Sequence, residues 1–418
     1  MPRRASRRRL LAWGGAAALA AVGTTTAAVV LRDGDGGSGD GASGGAEGRK
    51  EPRPPAGKVV WSREIGEVRY GGALVRGGKD LYVLDDKGLT RLDAETNTLR
   101  WTYPEEGLQS VRARGDLVYV LRDFLSAPEL IALRVAGGRE AWTSGLLSRN
   151  RHRPPRPLDA PRSELEGSRG LFTVSDDVTC LLTYAPYDTR WERRTAMDRP
   201  WRAYGFDSRT GKELWFHEGR AAGVTGVDDA GGRIAVAAAA NEPLVVLKAS
   251  DGTVEAEVEN GARRPQAHPG AAGIGYFASD KRIEAVDLAT RRTVWGRAAA
   301  GAAVTPRATD GLVIAAVSGG ITALDARTGR ERWSRSGFQE IEEGAPPLVS
   351  DGLVLVSGPE PGGSGSGVWG VYALDVRTGE AAWAVRVDSA SEMSLAAARG
   401  GLVHVCAGRV VHTVRGAA

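Results

Sequence analysis

Hydrophobic and polar residues alternate along this chain in short runs, and one arrangement of runs recurs. A hydrophobic pair ending in Asp is followed by a turn pair such as Thr-Gly three and four residues after the Asp, and by Trp eight residues after it. Alternation predicts a β-strand on each side, and glycine reaches the positive φ of a tight turn. Each copy therefore predicts a β-hairpin. The clearest copies contain Asp93 and Trp101, Asp207 and Trp215, Asp325 and Trp333, and Asp375 and Trp383.

Three further copies keep the spacing but have lost part of the pattern, and they begin at Leu133, Leu247 and Val286. Upstream of each copy another strand pair is predicted, as at residues 312–315 after Asp310-Gly311. Four short strands recurring about every 40 residues are typical of the blades of a β-propeller.

The number of blades follows from the two ends of the repeat region. An eighth upstream pair, residues 402–406 and 410–414, follows the seventh copy without a Trp after it, while residues 57–63 read like residues 211–217. We predict that this first strand, which carries Trp61, completes the last blade and removes an exposed sheet edge. The predicted fold class is therefore all-β, an eight-bladed β-propeller closed by its N-terminal strand, with seven blades as the alternative.

The repeat Ala-x-Asp-x-x-Thr-Gly-x-x-x-Trp resembles the tryptophan-docking motif of the pyrroloquinoline-quinone-like (PQQ-like) propeller superfamily, over residues 57–418. That superfamily includes quinoprotein alcohol dehydrogenases, an outer-membrane assembly lipoprotein and sensor portions of bacterial Ser/Thr kinases, so the fold alone does not decide the function. The resemblance implies that the repeat tryptophans dock between blades as structural residues. They are Trp61, Trp101, Trp142, Trp215, Trp295, Trp333 and Trp383.

The N-terminal region is predicted to target the protein rather than to fold with it. Residues 1–31 combine a twin-arginine-type motif around Arg7 and Arg8 with 22 uncharged residues at 10–31, which suits either a cleaved signal or a membrane anchor. Residues 32–56 are rich in Gly, Ser and Pro and predict a disordered linker. Both alternatives give an extracytoplasmic protein exported by the twin-arginine route, either anchored by 10–31 or secreted.

Net charge excludes one class of partner. The chain has 55 basic and 51 acidic residues, and five of the basic ones are arginines before Leu10, which leaves 50 against 51 in the remainder. A nucleic-acid-binding propeller is expected to keep a basic excess. We therefore predict no nucleic-acid partner. We also expect contact with membrane only through the N-terminal segment, and a monomer.

The candidate chemistry does not favour an enzyme. The quinoprotein dehydrogenases that the chain resembles carry a vicinal disulfide, a calcium ion and a catalytic Asp, whereas Cys180 and Cys406 are far apart in sequence and the five histidines are scattered. His404 and His412 are expected on neighbouring strands, where they could approach each other. We predict a non-catalytic protein without a cofactor, with PQQ and calcium unsupported; a quinone-dependent dehydrogenase is the alternative.

Two insertions around the third blade are the predicted binding surface. Trp142 and Trp215 are 73 residues apart, and the excess falls before the third blade and between its second and third strands. Arg and aromatic residues dominate binding hot spots. The sequence therefore predicts a binding, sensor or scaffolding module for an envelope protein or an anionic polymer. The candidate partner-binding residues are Arg151, Arg153, Arg156, Tyr187, Arg190, Trp191, Arg193 and Arg194.

Overall fold

A computed structural model describes the chain in segments that all lie within one compact unit, residues 41–418; the other unit, residues 1–40, lies outside them. The described residues are 54–68, 74–122, 128–145, 147, 172–184, 200–221, 224–229, 232–238, 243–258, 266–269, 273–278, 282–299, 307–309, 311–317, 320–338, 347–359, 369–387, 393–397 and 400–416.

The described strands form eight four-stranded antiparallel sheets, which are the blades of a β-propeller. Blades 1 to 4 contain β2 (Leu74–Gly77), β3 (Asp80–Asp85), β4 (Gly88–Asp93) and β5 (Leu99–Tyr103); β6 (Leu108–Arg114), β7 (Leu117–Arg122), β8 (Glu129–Arg134) and β9 (Glu140–Thr143); β10 (Phe172–Val174), β11 (Val178–Tyr184), β12 (Pro200–Asp207) and β13 (Glu213–Ala221); and β14 (Val224–Asp229), β15 (Arg233–Ala238), β16 (Leu244–Lys248) and β17 (Val254–Val258).

Blades 5 to 8 continue the same order, and the last one takes its fourth strand from the start of the repeat region. They contain β18 (Gln266–Pro269), β19 (Ile274–Ala278), β20 (Arg282–Asp287) and β21 (Arg292–Ala298); β22 (Arg307–Thr309), β23 (Leu312–Val317), β24 (Gly320–Asp325) and β25 (Glu331–Ser336); β26 (Leu348–Ser350), β27 (Leu353–Pro359), β28 (Trp369–Asp375) and β29 (Ala381–Arg386); and β30 (Met393–Ala397), β31 (Leu402–Ala407), β32 (Val410–Arg415) and β1 (Lys58–Glu64). The predicted eight blades and closing strand are confirmed.

The core lies between the blades rather than inside any one of them. Second strands such as β7 are buried on both faces and read as continuous apolar runs, because each blade packs against two neighbours. The buried residues group into eight clusters, and each cluster joins two adjacent blades. The first strands of consecutive blades contact one another around the ring, from β2 through β30 and back to β2.

The outer edge of every blade carries the same irregularity. In each fourth strand the ladder shifts by one residue immediately before the Trp position, as between Ala323 and Leu324 opposite Trp333. A β-bulge bends an edge strand and interrupts its hydrogen-bonding row. This repeated bulge protects the exposed edges against pairing with another chain.

Both ends of the described chain lie on one face. In each blade the turns between strands one and two and between strands three and four share one end of the sheet, which we call the turn face; the other connections lie on the opposite face. The antiparallel pair β1–β32 places Lys58 beside Arg415 at the turn face. Residues before β1 also bind blade 7, because Gly57 N donates to Ala384 O (2.8 Å) and Ala384 N donates to Pro55 O (3.0 Å).

Candidate functional site

The repeat aspartates have a structural role in the outer turns. Asp207 Oδ1 accepts hydrogen bonds from the backbone N–H groups of Arg209 (3.1 Å) and Thr210 (2.8 Å), and Asp93, Asp287, Asp325 and Asp375 repeat this geometry. The ion pair with Arg332 and the Thr328 hydroxyl lower the pKa of Asp325 to about 2. These carboxylates hold the turns in shape, as expected for Asp at a strand end.

The repeat tryptophans reach across to the next blade. Trp333 Nε1 donates to Val376 O (2.9 Å), and the acceptor lies just after the repeat Asp of that blade. Trp61, Trp101, Trp142, Trp215 and Trp295 donate to Ala94, Val135, Ser208, Ala249 and Ala326 in the same way, over 2.7–3.2 Å. Trp383 instead packs against Gly57, just before β1, and Gly416, just after β32, which replace a continuous turn in the last blade.

A glycine of the next turn lies directly under each of these rings in most blades. A Cβ placed on Gly329 would lie 2.6 Å from Trp295, and one on Gly379 would lie 2.6 Å from Trp333. The same glycines have φ near +70°, which L side chains rarely adopt. Two physical requirements therefore select glycine here, the turn conformation and the space for the neighbouring indole.

The junction between blades 4 and 5 lacks this contact and is filled differently. Ala256 stands at the Trp position, and the facing turn residue is Arg291 rather than Gly, so both halves of the contact are lost together. Phe277 of blade 5 packs in the same cluster as Ala256 and covers Gly275. The equivalent ladder position of blade 6 holds only Ala315. Phe277 thus supplies the aromatic volume that the missing Trp leaves out.

Blade 1 contains a buried ion pair that the repeat pattern did not predict. Arg91 lies opposite Trp101 in the ladder, and its Nη2 is 2.8 Å from Asp80 Oδ2. Its Nη1 donates to Val135 O, the carbonyl that also accepts from Trp101. Within the described segments, Asp80 Oδ1 and Arg91 Nε have no hydrogen-bond partner. Removing one member of such a pair is expected to destabilise the protein strongly, because it leaves an uncompensated buried charge.

His404 and His412 have separate hydrogen-bond partners. His404 is fully buried, its Nε2 accepts from Arg76 Nη1 (3.1 Å), and its Nδ1 bonds to Thr413 Oγ1 (2.6 Å). Burial and then the nearby Arg76 cation lower the pKa of His404 to about 3. The ladder pairs His404 with Thr413, so His412 points to the other face and bonds to Ser62. The expected approach of His404 and His412 is therefore wrong.

The cysteines and the repeat carboxylates of the described segments have structural positions. Cys180 and Cys406 are free, buried and in different blades, and burial raises the pKa of Cys406 to about 12. No group of three or more His, Cys, Asp or Glu in the described segments is arranged to hold a metal ion. The repeat carboxylates accept turn N–H groups instead.

The predicted partner-binding residues lie outside the described residues. Arg151, Arg153 and Arg156 belong to the first insertion, and Tyr187, Arg190, Trp191, Arg193 and Arg194 to the second. The described base of the second insertion is a pair of strands, with Tyr184 opposite Trp201. Trp201, at the base of the second insertion, is 2% exposed, packs on Gly219 and belongs to the core.

This geometry, with eight blades and a Trp contact at every junction except that of blades 4 and 5, agrees with a comparison with known families. The family model described as "Outer membrane protein assembly factor BamB" matches residues 51–153 and 279–415, more than half of the chain. The chain belongs to this PQQ-like propeller family. No curated protein matches the chain.

Three solved structures share the fold at low sequence identity. BamB from Moraxella catarrhalis is 14% identical, with a TM-score of 0.58 over 86% of this chain and 98% of that one. Quinohemoprotein alcohol dehydrogenase ADHIIG from Pseudomonas putida HK5 is 11% identical, with a TM-score of 0.59 over 87% and 77%. The computationally designed Ika8 protein is 14% identical, with a TM-score of 0.60 over 84% and 98%. At these identities the likeness shows the fold alone.

The described part of the chain contains no helix long and apolar enough to cross a bilayer. The predicted export signal or anchor (1–31) and the linker (32–56, of which Pro54 to Ala56 are described) stay predictions.

Proposed function

We propose that this protein is a non-catalytic, extracytoplasmic binding and scaffolding module at the cell envelope. The proposal rests on the observation that the polar and aromatic groups of the repeat are engaged in holding the propeller together. In the described blades the Asp carboxylates accept turn N–H groups and the Trp indoles donate to the next blade. The repeat therefore builds the ring, and recognition falls to residues that do not repeat.

The two insertions of blade 3 are the proposed partner surface. Residues 185–199 connect β11 to β12, and the adjoining ends of these two strands, Tyr184 and Pro200, lie opposite the Asp207 turn. This base is firmly held, because Trp201 packs against His217 (ring centroids 5.3 Å apart) and Arg202 pairs with Glu218 (2.8 Å). A binding loop on a rigid base loses less conformational entropy on binding. Membership of a family described as an assembly factor supports a scaffolding role.

Trimming the insertions tests the proposal. Residues 150–168 and 186–199 are replaced by short Gly-Ser turns, which leave every described blade strand intact. We expect an unchanged unfolding midpoint and a loss of salt-sensitive binding to isolated cell-envelope material, because exposed charges are screened over about 8 Å at physiological salt. If the trimmed protein folds and binds the envelope with the same salt dependence, the proposed partner surface is wrong.

The dehydrogenase alternative is tested on the same protein. Purified full-length chain is mixed with pyrroloquinoline quinone and calcium, and absorbance and alcohol-dependent dye reduction are recorded. The proposal expects neither a bound-quinone spectrum nor dye reduction above that of quinone and calcium alone. Turnover that needs the protein would overturn the non-catalytic assignment.

A further inference from the structure

The outer edge of blade 7 pairs with an extended segment of the same chain. Ala56 forms a parallel bridge with Ala384 of β29. Gly57 N donates to Ala384 O (2.8 Å), and Ala384 N donates to Pro55 O (3.0 Å). Ala384 follows Trp383, beyond the bulge, and its N–H and C=O groups face away from β28. The edge of a blade in this protein therefore accepts a short additional strand beyond the bulge.

Blade 5 presents the same edge position on β21. Gly296 follows Trp295 as Ala384 follows Trp383, again beyond the bulge. From Trp295 to Ala298 the ladder with β20 is regular. Backbone groups of successive residues in such a ladder face alternate sides, so the N–H and C=O groups of Gly296 and Ala298 face outwards. Within the described segments, no backbone hydrogen bond reaches these outward groups.

The edge row of β21, which consists of Val294, Gly296 and Ala298, has no charged residue, and Val294 is 48% exposed. Charged side chains and short strands protect sheet edges against pairing. Equivalent positions in blades 1, 4 and 6 hold the charged residues Arg100, Glu255, Glu257 and Arg332. β21 has seven residues, whereas β5, β9 and β17 have five or fewer. The edge of blade 5 is therefore less protected than those edges.

One face of β21 beside the edge row is polar. A Cβ on Gly296 would lie 2.2 Å from Arg282 Nη2, so this guanidinium lies over the main chain of Gly296. Arg282 Nε is also 2.6 Å from Glu284 Oε1. Side chains stand roughly perpendicular to a sheet, so this ion pair borders the edge row and does not cover its outward backbone groups. A hydroxyl residue such as Thr in an added strand would suit this polar border.

We propose that the edge row of β21 binds an extended, uncharged segment of a partner protein. The segment runs parallel to β21, as residues 55–57 run along β29. In strand addition of this kind, main-chain hydrogen bonds provide affinity and alternate side chains provide specificity. The contact on blade 7 is made by a segment outside the blades, which favours a peptide segment over a second blade edge. The inference does not depend on the blade 3 insertions.

Three single variants of the full-length chain test this proposal. Gly296→Pro removes an outward N–H that takes no part in the ladder with β20, and proline is tolerated at such edge positions. Val294→Lys places a charge on the edge row. Ser334→Pro, at the equivalent position of β25, is the matched control. The unfolding midpoint of each variant is recorded first, and Val294→Lys keeps the test decisive if Gly296→Pro does not fold.

The probe is an amidated Thr-Val-Thr-Val-Thr-Val peptide with an N-terminal fluorescein, and its binding is followed by fluorescence anisotropy. We expect Gly296→Pro and Val294→Lys to bind it at least about tenfold more weakly than the unmodified chain, because a hydrogen bond is lost or a charge must be desolvated. Ser334→Pro should bind as the unmodified chain does. The same peptide N-methylated at alternate residues lacks the donors of one edge and should not bind. Absence of binding to the unmodified chain, or equal binding by all four proteins, would refute the site.

Orientation and the second possible occupant are measured separately. Ala298→Cys should form a disulfide with a peptide that carries a C-terminal cysteine, because parallel pairing brings that end to the end of β21, while the native cysteines are buried. Preferential reaction with an N-terminal cysteine would overturn the parallel arrangement. A concentration-dependent dimer in light scattering that Gly296→Pro abolishes would reject the peptide in favour of a second copy. Trimming the blade 3 insertions should leave peptide binding unchanged, so failure of this inference and failure of the proposed partner surface give different results.

Discussion

Gly329→Ala and Gly311→Ala form a matched pair for measuring how strongly the blades are joined. Both glycines lie in turns of blade 6 with positive φ, +68° and +79°. A Cβ at position 329 would lie 2.6 Å from Trp295, whereas a Cβ at position 311 meets nothing within 4 Å. The two substitutions therefore share the backbone strain and differ only in contact with the indole.

The magnitudes follow from that geometry. Gly311→Ala should lower the free energy of unfolding by about 1–2 kcal/mol, because a residue with a Cβ is strained in the left-handed conformation. Gly329→Ala also displaces Trp295, which is buried and donates to Ala326 O at 2.9 Å. In blade 1 the residue at the glycine position is Asn97, and the bond from Trp61 to Ala94 O is 3.2 Å. We expect an extra cost of about 1–3 kcal/mol, as for overpacking of a core.

Urea unfolding provides the assay. The free energy of unfolding of each variant is obtained from the midpoint and slope of the circular-dichroism transition. Fluorescence of the tryptophans, recorded in parallel, should change at position 329 and not at 311. If the two variants agree within about 0.5 kcal/mol, the indole does not constrain the turn and the account of blade docking is wrong.

Three further outcomes are expected. Deleting residues 1–64 should expose the edge of β32 and cause aggregation, whereas deleting 1–52 should leave the melting temperature unchanged; equal melting temperatures would reject closure by β1. Because the pKa of Asp325 is lower in the folded chain than the ordinary 3.8, its stabilisation is complete above about pH 4 and is lost as the pH falls towards 2. Asp325→Asn should flatten that part of the melting-temperature profile, and an unaltered profile would contradict the assignment. Phe277→Ala should lower the free energy of unfolding in urea by about 3–5 kcal/mol. Adding Ala256→Trp to that variant should recover part of this loss, whereas the same substitution in the unmodified chain should not stabilise it. If nothing is recovered, Phe277 does not fill the space that a Trp at position 256 would occupy.

The fold could be predicted because the repeat encodes it in local terms. The spacing from Asp325 to Trp333 is that of one hairpin, and the similarity of residues 57–63 to residues 211–217 located the closing strand. The partner of each Trp was harder to predict, since the contact joins two blades that are about 40 residues apart. The sequence nevertheless indicates which turn each Trp contacts, because the Trp position of blade 4 (Ala256) and the Gly position of the blade 5 turn (Arg291) both depart from the repeat.

Other features depend on side-chain direction, which the repeat does not specify. His404 and His412 lie on neighbouring strands, but the ladder places Thr413 opposite His404, and alternation turns His412 away. Arg91 and Asp80 occupy positions that hold Ala323 and Leu312 in blade 6, so no repeat rule anticipates their pairing. The predicted partner residues of blade 3 lie outside the described residues and stay predictions.

The split turn of the last blade has a consequence for how this chain could be rearranged. Gly57 and Gly416 both contact Trp383 and together occupy the place of one ordinary hairpin turn. A short linker between them would restore that turn, and cutting any other outer turn, such as the one at Gly329, would open the ring at an equivalent point. The propeller is thus a candidate for circular permutation at each blade, because the fold does not require the ring to be opened at the last blade.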